Sequence, residues 1–167
     1  MNTKRIARIA LFTAVALLLN LLESALPPLL PFAPGAKMGL GNLVILSAVI
    51  FLGYTDAFVV LALRCLLACV FSGNPSALMY AAPAGLISLA AEILMYHFLL
   101  KRVSIVGISF MGALVHNGVQ VAIASLTVKT NLALMMPYML GASIIAGTFI
   151  GLVTFLLVKY LPKKAYK

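Results

Sequence analysis

Long apolar runs, several of about 20 residues or more, dominate this chain and set what it can become. They far exceed a soluble core helix, and no strand-like alternation accompanies them. A bilayer core takes about 20 apolar residues per helix, so 167 residues hold roughly six spans with short connections. With a mean hydropathy of +1.17 and only 9% charged residues, little remains for a soluble domain. The expected fold is an all-α integral membrane protein, one transmembrane domain over residues 1–167, built as a six-helix bundle.

Breaks fall where six spans require them. Helices are predicted over 6–26, 38–52, 56–71, 77–100, 104–126 and 132–160. Between them lie Pro27, Pro28, Pro31 and Pro34, then Gly53-Tyr54-Thr55-Asp56, then Ser72-Gly73-Asn74-Pro75-Ser76, then Lys101-Arg102, and last Lys129-Thr130-Asn131. The first apolar stretch is too long for a signal-peptide core, and Glu23-Ser24-Ala25 is a poor cleavage site, so it is expected to be a retained helix.

Charge orients the bundle. With six spans and a cytoplasmic N-terminus, Lys4, Arg5, Arg8, Lys101, Arg102, Lys159, Lys163, Lys164 and Lys167 lie inside, and only Lys37 and Lys129 outside. Both termini are therefore expected in the cytoplasm. The formal charge of +9 is explained by topogenesis and anionic head groups, without nucleic acid.

The second span is short. About 15 residues at 1.5 Å each reach some 22 Å, less than a core of roughly 30 Å. The Pro/Gly-rich segment from Leu26 to Asn42 is expected to re-enter the protein and supply the missing depth, because irregular backbone at membrane depth must line a cavity or be buried. An ordinary outer loop is the competing reading.

Polar residues inside the spans mark the candidate site. Arg64 falls near the middle of the third helix and His116 near the middle of the fifth. His116 and Gln120 are four residues apart, Asn117 and Gln120 three, so each pair shares a helix face. Asn20, Glu23, Lys37, Asn42, Asn74 and Tyr80 all count toward the outer half. That gathering is the geometry of a pocket opening outward. Ionisable groups in hydrocarbon usually face a protein-lined cavity, yet polar side chains also tie helices together at about 0.6 kcal/mol each. Both readings stay open for each residue, and Glu23 can also neutralise Arg64 or Lys37.

Glu92 and His97 count toward the inner end of the fourth helix, where a structural pairing with inner basic residues is favoured over a proton relay. Cys65 and Cys69, one turn apart, are poorly placed for a disulfide and are expected to pack as small apolar groups. Small residues form two stripes, Ala10 with Ala14, and Ser143 with Gly147 and Gly151. Either suits close packing within the bundle, and the first can instead dock another membrane subunit.

Three acidic residues in the whole chain exclude the carboxylate sets that hold Mg²⁺ against diphosphates. There is no phosphate-binding Gly-x-x-x-x-Gly-Lys-Ser/Thr loop, no plausible Ser-His-Asp set, and no evident inverted repeat of a large secondary transporter. No catalytic residue, metal or cofactor is expected.

Ala10-Leu-Phe-Thr-Ala-Val-Ala-Leu17, Pro34-Gly35-Ala36-Lys37-Met38-Gly39-Leu40-Gly41-Asn42, Ala62-Leu-Arg64 and Gly112-Ala-Leu-Val-His-Asn-Gly-Val-Gln120 resemble the bacterial Gx transporter family, often labelled heptaprenyl diphosphate synthase component I. The resemblance covers nearly the whole chain. That family is similar to the substrate-binding (S) components of energy-coupling factor (ECF) transporters, six-helix proteins that capture micronutrients outside and dock on a shared transmembrane subunit carrying two ATPases. The resemblance implies that Ala10 and Ala14 form the docking motif and that Pro34, Gly35 and Gly39 belong to a gating loop. It places Lys37, Asn42, Arg64, His116, Asn117 and Gln120 along or behind the pocket. Lipid, a small-molecule substrate and the ECF subunits are the implied partners, and the bacterial cytoplasmic membrane the implied location. The label of synthase fits poorly, since Asp-rich metal sites are missing.

Two functions of different class follow. One is substrate capture for ATP-driven uptake; the other is a non-transporting scaffold for prenyl, quinone or flavin-linked redox enzymes. Arg, Lys and His suit an anionic group on the substrate, and the lack of Trp argues mildly against a large stacked ring. A vitamin-like molecule and an isoprenoid or quinone precursor remain open.

Overall fold

The computed structural model describes residues 3–25, 40–73, 76–99, 102–128, 134 and 136–161. Its helices are α1 (Thr3–Ala25), α2 (Leu40–Phe51), α3 (Tyr54–Ser72), α4 (Ser76–Leu99), α5 (Ile105–Val128) and α6 (Met136–Tyr160). All but α2 are long and apolar enough to cross a membrane, and the chain is a multi-pass membrane protein.

Turn chemistry sets the boundaries. Gly53, at φ 93°, turns the chain between α2 and α3, and Gly73, at φ 62°, ends α3 in the left-handed conformation. Both positions favour glycine because a residue with a Cβ is strained against its own backbone at positive φ. Pro137 occupies the first turn of α6, where its missing N–H has no helical partner to lose.

The shortest helix is the central one. With 12 residues, α2 spans about 18 Å, and it touches each of the other five helices. Gly41, Asn42, the stretch Val44 through Val49, and Phe51 are all buried. A helix apolar on every side belongs in an interior, and here that interior is the bundle itself. Of the predicted span of 38–52, residues 40–51 are helical and central, and 38–39 lie outside the described residues. Residues 26–39, including Pro34, Gly35, Lys37 and Gly39, lie outside the described residues, and with them the re-entrant segment.

Around α2 the longer helices pack in the order α1, α3, α4, α5, α6. Ile9, Ile45, Val49, Val60, Leu61 and Leu89 are among the core where α1 to α4 meet. Leu18, Phe58, Leu66, Val70, Leu126 and Ile145 stand on the outer surface, as a hydrocarbon solvent allows. Ser143, Gly147 and Gly151 pack α6 on α5. A Cβ on Gly147 would lie 2.7 Å from the Phe110 Cα, and one on Gly151 2.6 Å from the Val106 Cα. This stripe serves the bundle. Ala10 and Ala14 are exposed on α1.

One end of the bundle is basic. Lys4, Arg5 and Arg8 begin α1, and Lys159 closes α6. Arg5 pairs there with Asp56 at the start of α3, its Nε donating to Oδ1 at 2.9 Å and Oδ2 at 3.0 Å. Asp56, the chain's sole Asp, therefore clamps α1 to α3 away from the mid-bundle polar residues.

Candidate functional site

Four helices bring polar groups to the middle of the bundle, and α2 supplies a fifth contribution. Arg64 on α3 and Asn42 on α2 are both buried, and Arg64 Nη1 donates to Asn42 Oδ1 at 3.1 Å. The guanidinium rests on bare α2 backbone, because a Cβ on Gly41 would sit 2.6 Å from Nη1. Arg64 Nε is buried without a hydrogen-bond partner among the described residues. An unmet buried donor is costly, so this N–H is the donor of the cluster with unspent hydrogen-bonding capacity.

Two carboxylates bear on the same guanidinium, Glu23 and Glu92. Glu23 is buried at the far end from the basic residues, and its Oε2 accepts from the Leu40 amide at 3.0 Å. It thereby satisfies an orphan donor at the positive end of the α2 dipole. Glu92 on α4 is 3% exposed. Its side chain lies across Gly112 of α5, with Cγ and Cδ each 2.8 Å from where a Cβ would be.

Glu92 and His97, both counted toward the inner end of α4, part company. His97 is exposed and approaches Tyr54, with Nδ1 and Oη 3.3 Å apart, while Glu92 turns inward toward Arg64.

His116 on α5 is buried against α4, its Nδ1 3.5 Å from Ser88 Oγ. Ser88 Oγ also donates to the Gly85 carbonyl at 3.1 Å. Asn117 faces α6, where Nδ2 donates to Ser143 Oγ at 2.7 Å. Gln120 is half-buried one turn beyond His116, and among the described residues no hydrogen bond joins it to these pairs.

Of the residues expected from sequence, Asn42, Arg64, His116 and Asn117 thus lie buried at mid-bundle, in three pairings rather than one ring. Cys65 is a buried free thiol and Cys69 a half-buried one, so both pack as expected. Sequence reasoning missed Gly41, Ser88 and Gly112, and it set Glu92 apart from the Arg64 cluster. Only the Leu40-Gly41-Asn42 step gave a usable signal, a Gly beside a polar residue at a helix start. A cleft between α1 and α6 is lined by none of these residues.

The family described as heptaprenyl diphosphate synthase component I matches residues 12–157. The chain belongs to this family. The match spans Arg64, Glu92, His116 and Asn117, and begins between Ala10 and Ala14. Its description is of one component of a synthase, and it is the family that the sequence resemblance named. No curated protein matches the chain.

Proposed function

We propose that this protein is the substrate-capture subunit of an ECF-type transporter, taking a small vitamin-like or isoprenoid- or quinone-related molecule from outside for uptake by partner ATPases. The observation that carries the reading is Arg64, a fully charged side chain at mid-bundle with a buried Nε lacking a partner among the described residues. Ionisable groups at that depth are expensive and mark substrate pathways. In this reading the basic end is cytoplasmic, and the far end, where Glu23 meets α2, faces the substrate. Asn42 and Glu23 hold the guanidinium and the pocket side of α2 in place.

Docking is assigned to Ala10 and Ala14. Their exposure supports this, since the Ser143, Gly147 and Gly151 stripe is already used within the bundle. Co-purification of the full-length protein with transmembrane and ATPase subunits, and uptake in cells, test it together. Ala14→Trp is expected to abolish both partner recovery and uptake while ligand binding persists. Wild-type uptake by that variant contradicts the assignment.

A second reading, a non-transporting scaffold, is favoured by one observation. Asn117 is tied to Ser143 and Arg64 to Asn42, so part of the polar set is closed on itself. A scaffold retains stable partners with no ligand and tolerates Arg64→Gln.

A further inference from the structure

At the basic end the ring of helices parts. α1 packs on α2 and α3, and α6 on α5 and α2, so α1 and α6 are joined chiefly through α2. Between them opens a cleft of about 310 Å³, walled by Val15 and Phe12 of α1 and Leu157 of α6, and floored by Val44, Ser47 and Phe51 of α2. Ser47 Oγ donates to the Leu43 carbonyl at 2.8 Å, so its hydroxyl is consumed within α2 and the floor is apolar. Arg8 stands on the lining at the basic end.

The charge at this mouth is one-sided. Arg5 is neutralised by Asp56, Glu23 caps the opposite end of α2, and Glu92 faces inward to Arg64. Those are all three carboxylate side chains of the sequence. Arg8 folds back along its helix, Nε donating to the Lys4 carbonyl at 3.4 Å. Among the described residues no side-chain carboxylate forms a salt bridge with Lys4, Arg8 or Lys159. Lys159 sits on the turn of α6 between the lining residues Leu157 and Leu161.

Chemistry decides what enters. The open, apolar floor suits a hydrocarbon chain, and an anionic head group complements Arg8 at the basic end. We propose that the cleft between α1 and α6 is a binding site for one anionic phospholipid, with an acyl chain lying on α2 and the phosphate on Arg8. Basic pockets between membrane helices recognise such head groups. This site shares no residue with the Arg64 cluster or with Ala10 and Ala14, so its failure leaves the capture reading untouched.

The test is native mass spectrometry of the delipidated full-length protein in mild detergent, titrated with phosphatidylglycerol or phosphatidylcholine. A one-lipid adduct is expected with phosphatidylglycerol at concentrations where phosphatidylcholine gives little. Arg8→Gln should lower phosphatidylglycerol affinity about fivefold, the scale of one surface charge, and leave phosphatidylcholine unchanged. Leu157→Trp, which fills the cleft, should remove the adduct. Equal retention of the two lipids, or an Arg8→Gln protein that keeps the full phosphatidylglycerol adduct, overturns the proposal. Displacement of phosphatidylglycerol by equimolar polyprenyl phosphate overturns the choice of a phospholipid.

Discussion

A β-carbon on Gly41 would lie 2.6 Å from Arg64 Nη1, so the absence of a side chain on α2 is what lets the guanidinium reach Asn42. Arg64 is only 4% exposed, so its guanidinium has little room to give way. Gly41→Ala is therefore expected to destabilise the protein by about 1–3 kcal/mol, as overpacking does. Gly118→Ala is the control, since nothing lies within 4 Å of its Cβ position; in a helix interior it should stabilise by up to about 1 kcal/mol. Thermal unfolding in detergent measures both.

Glu92 and Gly112 are matched in the same way across α4 and α5. Gly112→Ala alone should lower the unfolding temperature, because the Glu92 side chain has to leave its place against Gly112. In a Glu92→Ala background the same change should cost much less. The coupling expected from such a cycle is on the order of 0.5–3 kcal/mol. Additive effects would mean that Glu92 lies elsewhere.

Asn117 separates structural from ligand-facing polarity. Its bond to Ser143 is an interhelical tie, and such ties average about 0.6 kcal/mol in a membrane. The Asn117→Ala and Ser143→Ala cycle should return a coupling near that value in unfolding measurements. Binding of any co-purified ligand should survive Asn117→Ala while falling with Arg64→Ala.

The Arg5–Asp56 clamp sits at the basic end, where the Arg5 side chain is 46% exposed and the Asp56 side chain 11%. Asp56→Asn should lower the unfolding temperature slightly at low salt, and the difference should shrink in 1 M salt, where the Debye length is about 3 Å. A salt-independent loss would assign Asp56 to a buried network instead.

The six-helix plan was legible because apolar length and breaker chemistry report on it directly. Pro and Gly clusters mark the ends of α1 and α3, and the structure shifts the expected boundaries of α1 to α5 by only a few residues. Height along a helix was legible too, which is why Arg64, His116 and Asn117 were expected at mid-bundle.

Azimuth was not. α4 is apolar on nearly every side, so no stripe in its sequence tells that Glu92 turns inward while His97 faces out. The central place of α2 was hidden for a related reason: a short span looks like one that needs help crossing, whereas here the other helices surround it. The meeting of Asn42 with Arg64, 22 residues away, depends on that placement.

On the capture reading, Arg64 serves the bound molecule. Native mass spectrometry of wild-type and Arg64→Ala protein, purified in mild detergent from the same membranes, decides whether it does. A stoichiometric small molecule on the wild type, lost from Arg64→Ala protein of unchanged fold, is the predicted result. A ligand-free wild type that remains bound to partner subunits, with Arg64→Ala retaining those same partners, would contradict capture and leave the scaffold reading.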